Sequence, residues 1–260
     1  MVAIDQMRFA YPGQAPVFDG FSLEIPAGGA WSVIGPSGGG KTTLLYLLAG
    51  LLKPSAGQIT VGGKPLDRPR PRTALVLQDH GLLPWATVAD NTRLGLRIRR
   101  FYGADGRHAP ADEAIDPQTA EQAVQFWLQR LAIDHLADKY PGQLSRGQRQ
   151  RAAIARSLVL SPDLLLLDEP FSALDARTRQ DLHAIMDELH HGRVLTRILV
   201  THDIEEAVRM GSMILALCGQ ANAGAVVVPN TGAGERPAER GSPRFCDQCQ
   251  RLRRILGAEQ

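Results

Sequence analysis

The chain has no uninterrupted apolar stretch of the roughly 18 to 20 residues that a membrane-spanning helix requires. Its densest run, residues 44–52, falls well short and contains Gly50. Cysteine is scarce as well: Cys218, Cys246 and Cys249 are too few and too clustered for a disulfide framework, which fits a reducing compartment. Charge of one sign is also missing. Lys plus Arg number 29 and Asp plus Glu 27, and a net charge of +2 does not single out nucleic acid or anionic lipid as the partner. The opening residues, MVAIDQMRFAYPG, place Asp5 where a secretory leader is basic, and no long apolar region follows, so a cytosolic location is expected. What is present is ordinary for a globular protein. Hydrophobic residues make up 44% and charged residues 22% of 260, which suits one large α/β domain or a domain with a modest appendage.

Residues 2–9, 18–25 and 31–34 read as short strands separated by turns, resembling an antiparallel start. The third runs into a Gly-rich loop and then TTLLYLLAGLL, giving the order strand, loop, helix. Residues 58–61 and 73–77 read as further strands, and 90–136 as helical, interrupted at 102–117 by a Gly/Ala/Asp/Pro-rich loop or insertion. A helix is expected over 148–160, a strand over 164–167, a helix over 178–190, a strand over 194–200 and a helix over 204–210. The uniformly apolar strands among these read as buried on both faces, as in a parallel sheet covered by helices. Beyond Cys218 the composition shifts to that of a tail or linker, with a short apolar run at 225–228 and a basic helix over 245–256.

The sequence Gly35-Pro36-Ser37-Gly38-Gly39-Gly40-Lys41-Thr42, followed by Thr43, matches G-x-x-x-x-G-K-[ST] and lies between a strand and a helix, the context that gives this pattern its meaning. Glycines allow successive backbone N–H groups to converge on an anion, and the helix adds the positive end of its dipole. Lys41 brings a fixed positive charge to outer phosphates, and Thr42 a hydroxyl for Mg²⁺. The strand LLLLD ends on Asp168, placed to hold the Mg²⁺ shell, and Glu169, placed to accept a proton from attacking water.

Further segments, in order, make the chain resemble the ATP-binding subunits of ABC transporters over about residues 2–217. Leu144-Ser145-Arg146-Gly147-Gln148 is similar to the family's signature sequence, with Arg146 where glycine is usual. The resemblance implies an α/β fold: a P-loop NTPase core with a parallel sheet flanked by helices, an N-terminal antiparallel β subdomain, and a helical signature subdomain at about 79–160. It implies a head-to-tail homodimer in which Ser145, Gly147 and Gln148 of one copy face the γ-phosphate held by the other. Gln78 corresponds to a glutamine touching Mg²⁺ and the membrane partner, His202 to a histidine contacting the γ-phosphate, and residues 172–175 to the loop coupling the two sites. Tyr11 corresponds to an aromatic that stacks on adenine, although a turn tyrosine also serves packing. Residues 218–260 stand outside the resemblance as a C-terminal tail.

Leu82-Leu83-Pro84-Trp85 is similar to importers of nitrate, sulfonates and taurine, and to importers of thiamine-precursor pyrimidines. Large apolar residues in a loop suit docking against a permease, or packing inside the helical subdomain. The implied assembly is an ATPase with ATP and Mg²⁺, two such subunits, integral membrane permease subunits and a periplasmic or extracellular solute-binding protein, at the cytoplasmic face of the membrane and without nucleic acid. The competing class is a soluble non-transport ABC-type ATPase. Cys246 and Cys249 read as ordinary thiols, with half a zinc site or a redox pair as the alternative.

Overall fold

The computed structural model describes residues 1–102, 116–172, 174–192, 195–218, 220–222, 224–230 and 241–257. They divide into two units, the first comprising Met1–Arg70, Leu166–Glu169 and Met186–Gln260, the second Pro71–Leu165 and Pro170–Ile185.

The first unit holds an antiparallel sheet in the order β2-β1-β4-β5, formed by β1 (Val2–Ala10), β2 (Pro16–Ile25), β4 (Ala56–Val61) and β5 (Lys64–Pro65). Along β1, Val2 and Ile4 face the core and then Met7 and Phe9 do, so the period-2 alternation slips by one residue. The slip is a bulge: Gln6 has φ 46 and the pairing with β2 shifts between Ile4 and Met7.

The expected antiparallel start stops before the third segment. β3 (Ala30–Ile34) is buried along its whole length and runs parallel to β8 (Thr196–Val200) and β9 (Met213–Ala216). Alternating strands can leave one face wet, whereas Ala-Trp-Ser-Val-Ile needs cover on both. In this second sheet the strand order is β10-β9-β3-β8-β7, with β7 at Leu164–Asp168 and β10 at Val226–Pro229. β10 is antiparallel to β9. Helices α1 (Lys41–Leu48) and α6 (Ile204–Met210) follow β3 and β8, which makes this an α/β core.

The segment beyond Cys218 is not a linker. Besides β10, it supplies α7 (Pro243–Ile255), started by Pro243 after the N-cap Ser242. Phe245, Cys249 and Leu252 lie in one buried cluster with Ile34, Ala207, Val208, Ile214, Ala216 and Val228. Spacing of four and three residues puts all three on one helical face, a signal diluted in the sequence by the arginines on the other face. Cys249 is buried in that cluster and Cys246 is exposed. Among the described residues no group of three or more His, Cys, Asp or Glu is arranged to hold a metal ion.

The second unit contains β6 (Thr73–Val76) and the mutually packed helices α2 (Val88–Tyr102), α3 (Pro117–Arg130) and α4 (Arg146–Leu158). α5 (Ala176–Gly192) follows, with Asp175 accepting from the Thr178 N–H at its start. The insertion expected at 102–117 falls mostly on residues outside those described, as does residue 173 of the expected coupling loop. Among the described residues no helix is long and apolar enough to cross a membrane.

Candidate active site

The turn from β3 into α1 is shaped by glycines where no side chain fits. A Cβ on Gly35 would stand 2.7 Å from the Leu217 carbonyl oxygen, and Gly40 has φ 87. Gly40 is the N-cap of α1 and offers no side-chain cap, so the first N–H groups of the helix are left for another acceptor. Lys41 folds back over the loop, its Nζ donating to the carbonyl oxygens of Gly35 at 2.9 Å and Pro36 at 2.8 Å. The ammonium is buried, which lowers its pKa, while Glu169 and Asp168 pull in the opposite direction.

Thr42 Oγ1 donates to Asp168 Oδ2 at 2.9 Å, joining the start of α1 to the end of β7. Burial pushes the Asp168 carboxyl above the ordinary aspartate range, with the Thr42 hydroxyl opposing and Glu169 reinforcing the rise. The next residue turns out of the strand. Glu169 has φ 46, a conformation costing an L-residue on the order of 1–2 kcal/mol, and its N–H donates to the Val200 carbonyl oxygen at 2.9 Å. Its Oε1 lies 3.0 Å from Nδ1 of His202, which follows β8. Tyr11 bonds through its hydroxyl to Thr43 Oγ1 at 3.1 Å and packs edge-on against Phe9, with ring centroids 5.0 Å apart. Gly35 and Thr201 therefore follow the C-terminal ends of the parallel strands β3 and β8, and Asp168, the last residue of β7, is tied to the same place through Thr42; α/β folds bind ligands at such strand ends.

The second unit carries the other expected residues. Gln78 follows β6 and is exposed. Ser145 is the N-cap of α4 and forms a capping box: its Oγ accepts from the Gln148 N–H at 3.3 Å, and its own N–H donates to Gln148 Oε1 at 2.8 Å. Both side chains thus shape the helix start, a role that the Ser-x-x-Gln spacing itself announces. Arg146, in the glycine position of the signature, is the first helical residue and needs no positive φ, so the side chain is accommodated. Gly147 faces Leu174 and Thr178, each 3.5 Å from where its Cβ would be.

His80 adds a buried polar contact beside Gln78. It is buried, and its Nε2 lies 3.3 Å from the Arg146 carbonyl oxygen. The Arg156 guanidinium donates to the carbonyls of His80 and Gly81. A lone histidine two residues after Gln78 has no sequence pattern that would mark it. Trp85 is 74% exposed and so is not packed inside the helical subdomain; it lines a groove with Leu83, Leu94 and Ile98. Asn91 fixes this loop, donating to the carbonyls of Leu83, Ala86 and Thr87 and accepting from the Leu83 N–H.

Comparison with known proteins gives the same reading. Residues 18–172 match the family described as ABC transporter, a segment holding the phosphate loop, Ser145 to Gln148, Asp168 and Glu169. The chain is 40% identical to an aliphatic sulfonates import ATP-binding protein, SsuB, of Pseudomonas putida over 95% of its own length and 83% of that protein's. It is 38% identical to a sulfate/thiosulfate import ATP-binding protein, CysA, of Vibrio vulnificus over 79% of its length, covering 57% of that protein. Among solved structures, the dimeric ATP-binding cassette MJ0796 in a post-hydrolysis state bound to ADP and Pi superposes with a TM-score of 0.76 at 26% identity, covering 89% of this chain and all of that one. With a phosphate loop, a carboxylate pair and a histidine on one sheet edge, the chain belongs to the ABC transporter family.

Proposed function

We propose that the chain is the ATP-hydrolysing subunit of an import transporter for small sulfonate-type oxyanions, in the taurine and nitrate importer group. The observation that carries this is the convergence of Lys41, Thr42, Asp168, Glu169 and His202 within the first unit. In this reading the N–H groups of residues 35–43 and the Lys41 ammonium bind the phosphate chain of ATP, and the Tyr11 ring stacks on adenine. A buried carboxylate beside a hydroxyl is a hard oxygen donor set suited to Mg²⁺, so Asp168 and Thr42, with Gln78, are the residues that would hold it. When bound, Mg²⁺ neutralises charge on the phosphate oxygens.

Glu169 takes a proton from the water whose oxygen attacks the γ-phosphorus, while the bond to the ADP oxygen breaks. His202, held by Glu169 at 3.0 Å, orients that water and donates toward the γ-phosphate. Ser145, Gly147 and Gln148 of a second copy close the site, since a capped helix start with its own N–H groups is a second anion cradle. In this reading the groove at Leu83 and Trp85 receives the permease, and the subunit works at the cytoplasmic face of the membrane with a solute-binding protein on the other side. The relatives named for sulfonate and sulfate import support the choice of an oxyanion.

The test is twofold. Purified protein should hydrolyse ATP with Mg²⁺ and lose the activity in Lys41→Ala, and deletion of the gene should abolish growth on an alkanesulfonate as sole sulfur source. Growth undiminished on every sulfonate and on sulfate, with ATPase activity intact, would remove the solute assignment and leave the enzyme.

A further inference from the structure

The polypeptide beyond Cys218 also reaches the phosphate loop. Asn222 Nδ2 donates to the Gly39 carbonyl oxygen at 3.0 Å and to the Val17 carbonyl oxygen at 2.9 Å. The residue is 6% exposed and has φ 51, a left-handed conformation that asparagine adopts more readily than other side-chain-bearing residues. Its carbonyl accepts the Ala225 N–H at 3.1 Å, and the Cys218 thiol donates to the Gly224 carbonyl at 2.7 Å, which closes the loop behind it.

The β9–β10 ladder does not require this loop. Two residues are enough to join antiparallel strands, whereas Ala216 pairs with Val226 across all of residues 217–225. The additional length is what carries Asn222 onto the phosphate loop. A Cβ on Gly40 would come within 2.5 Å of Val17 Cγ1 and 3.2 Å of Asn222 Nδ2, so these two residues form the wall behind the loop.

Peptide planarity supplies the consequence. The Gly39–Gly40 bond is trans, so its C=O and N–H point in opposite directions. With the Gly39 oxygen held by Asn222, the Gly40 N–H faces away from the wall. We propose that Asn222 is a positioning residue for the phosphate loop: by holding the Gly39 carbonyl from behind, it aims the Gly40 N–H at the phosphate chain before nucleotide arrives. This rests on the reading of residues 35–43 as the ATP site. Donors fixed in advance cost no reorganisation when the anion binds, so the effect falls on nucleotide affinity and not on the bond-breaking step at Glu169.

The experiment compares steady-state ATP hydrolysis by the full chain with two variants. Asn222→Gly keeps the left-handed backbone and removes the amide; Asn222→Asp keeps the shape and sets a carboxylate against two carbonyl oxygens. Asn222→Gly should raise KM for ATP by about tenfold, the loss of about one net hydrogen bond, with kcat kept within about twofold. Asn222→Asp should raise KM further. KM unchanged in both variants, or kcat falling at constant KM, overturns the proposal, and if thermal melting shows the glycine variant unfolded, the isosteric aspartate variant decides. Lys41→Ala, measured alongside, separates the two levels. ATP binding lost in Lys41→Ala but unchanged in both Asn222 variants defeats the Asn222 role alone. Wild-type protein that binds no ATP defeats the phosphate-loop reading and this inference together.

Discussion

Lys41 bonds two carbonyls of its own loop, Gly35 and Pro36, and is the residue on which nucleotide affinity should depend most. Lys41→Ala is expected to weaken ATP binding by about tenfold to a hundredfold, the worth of a charge-assisted hydrogen bond, as read by titration with a fluorescent ATP analogue. At His80 the prediction concerns pH. Burial holds its imidazole below the ordinary value of 6.5, with Arg149 and Arg146 adding to the depression and the Arg146 carbonyl opposing it. The unfolded chain therefore takes up a proton as pH falls through 6.5 while the folded chain does not, so stability from this group is lost on acidification below that point. Urea unfolding at pH 7.5 and pH 5.5 should show a smaller acid loss in His80→Asn, which fits the positive φ of 72, than in wild type. An equal loss in both proteins would show that His80 carries none of it.

Among the elements, the phosphate loop, Asp168 and Glu169 were legible because each motif names its own neighbours: a strand before, a helix after, a buried strand ending in acid. Ser145 and Gln148 were legible as a signature but not as a capping box, although the spacing states it. The bulge at Gln6 and the anchoring by Asn222 and His80 were not legible. Each depends on a contact between residues far apart in sequence, and a single polar residue leaves no periodic trace. The same limit hides the packing of α7 in the sequence. Its apolar face is only three or four residues wide and finds its partners in α6, β9 and β10. Leu252 is fully buried there, so Leu252→Ala should destabilise the protein by about 2–5 kcal/mol in urea titration. A surface tail would register almost nothing.

At the scale of the whole molecule, the near balance of 29 basic and 27 acidic residues offers no charge excess for a lipid surface, and Trp85 is the exposed apolar side chain on which the proposed permease contact rests. Trp85→Ala should leave the ATPase rate of the isolated subunit unchanged and reduce its co-purification with a permease; an equal yield of complex would move the docking surface elsewhere. In the proposed mechanism the chemistry rests on one carboxylate, Glu169. The rate of ATP hydrolysis by Glu169→Gln, measured under conditions where ATP binding is shown to be retained, tests it most directly. The account predicts a fall of about 10²–10⁴-fold, the contribution of a general base, with ATP held unhydrolysed in a dimer. Hydrolysis by Glu169→Gln at the wild-type rate would contradict it.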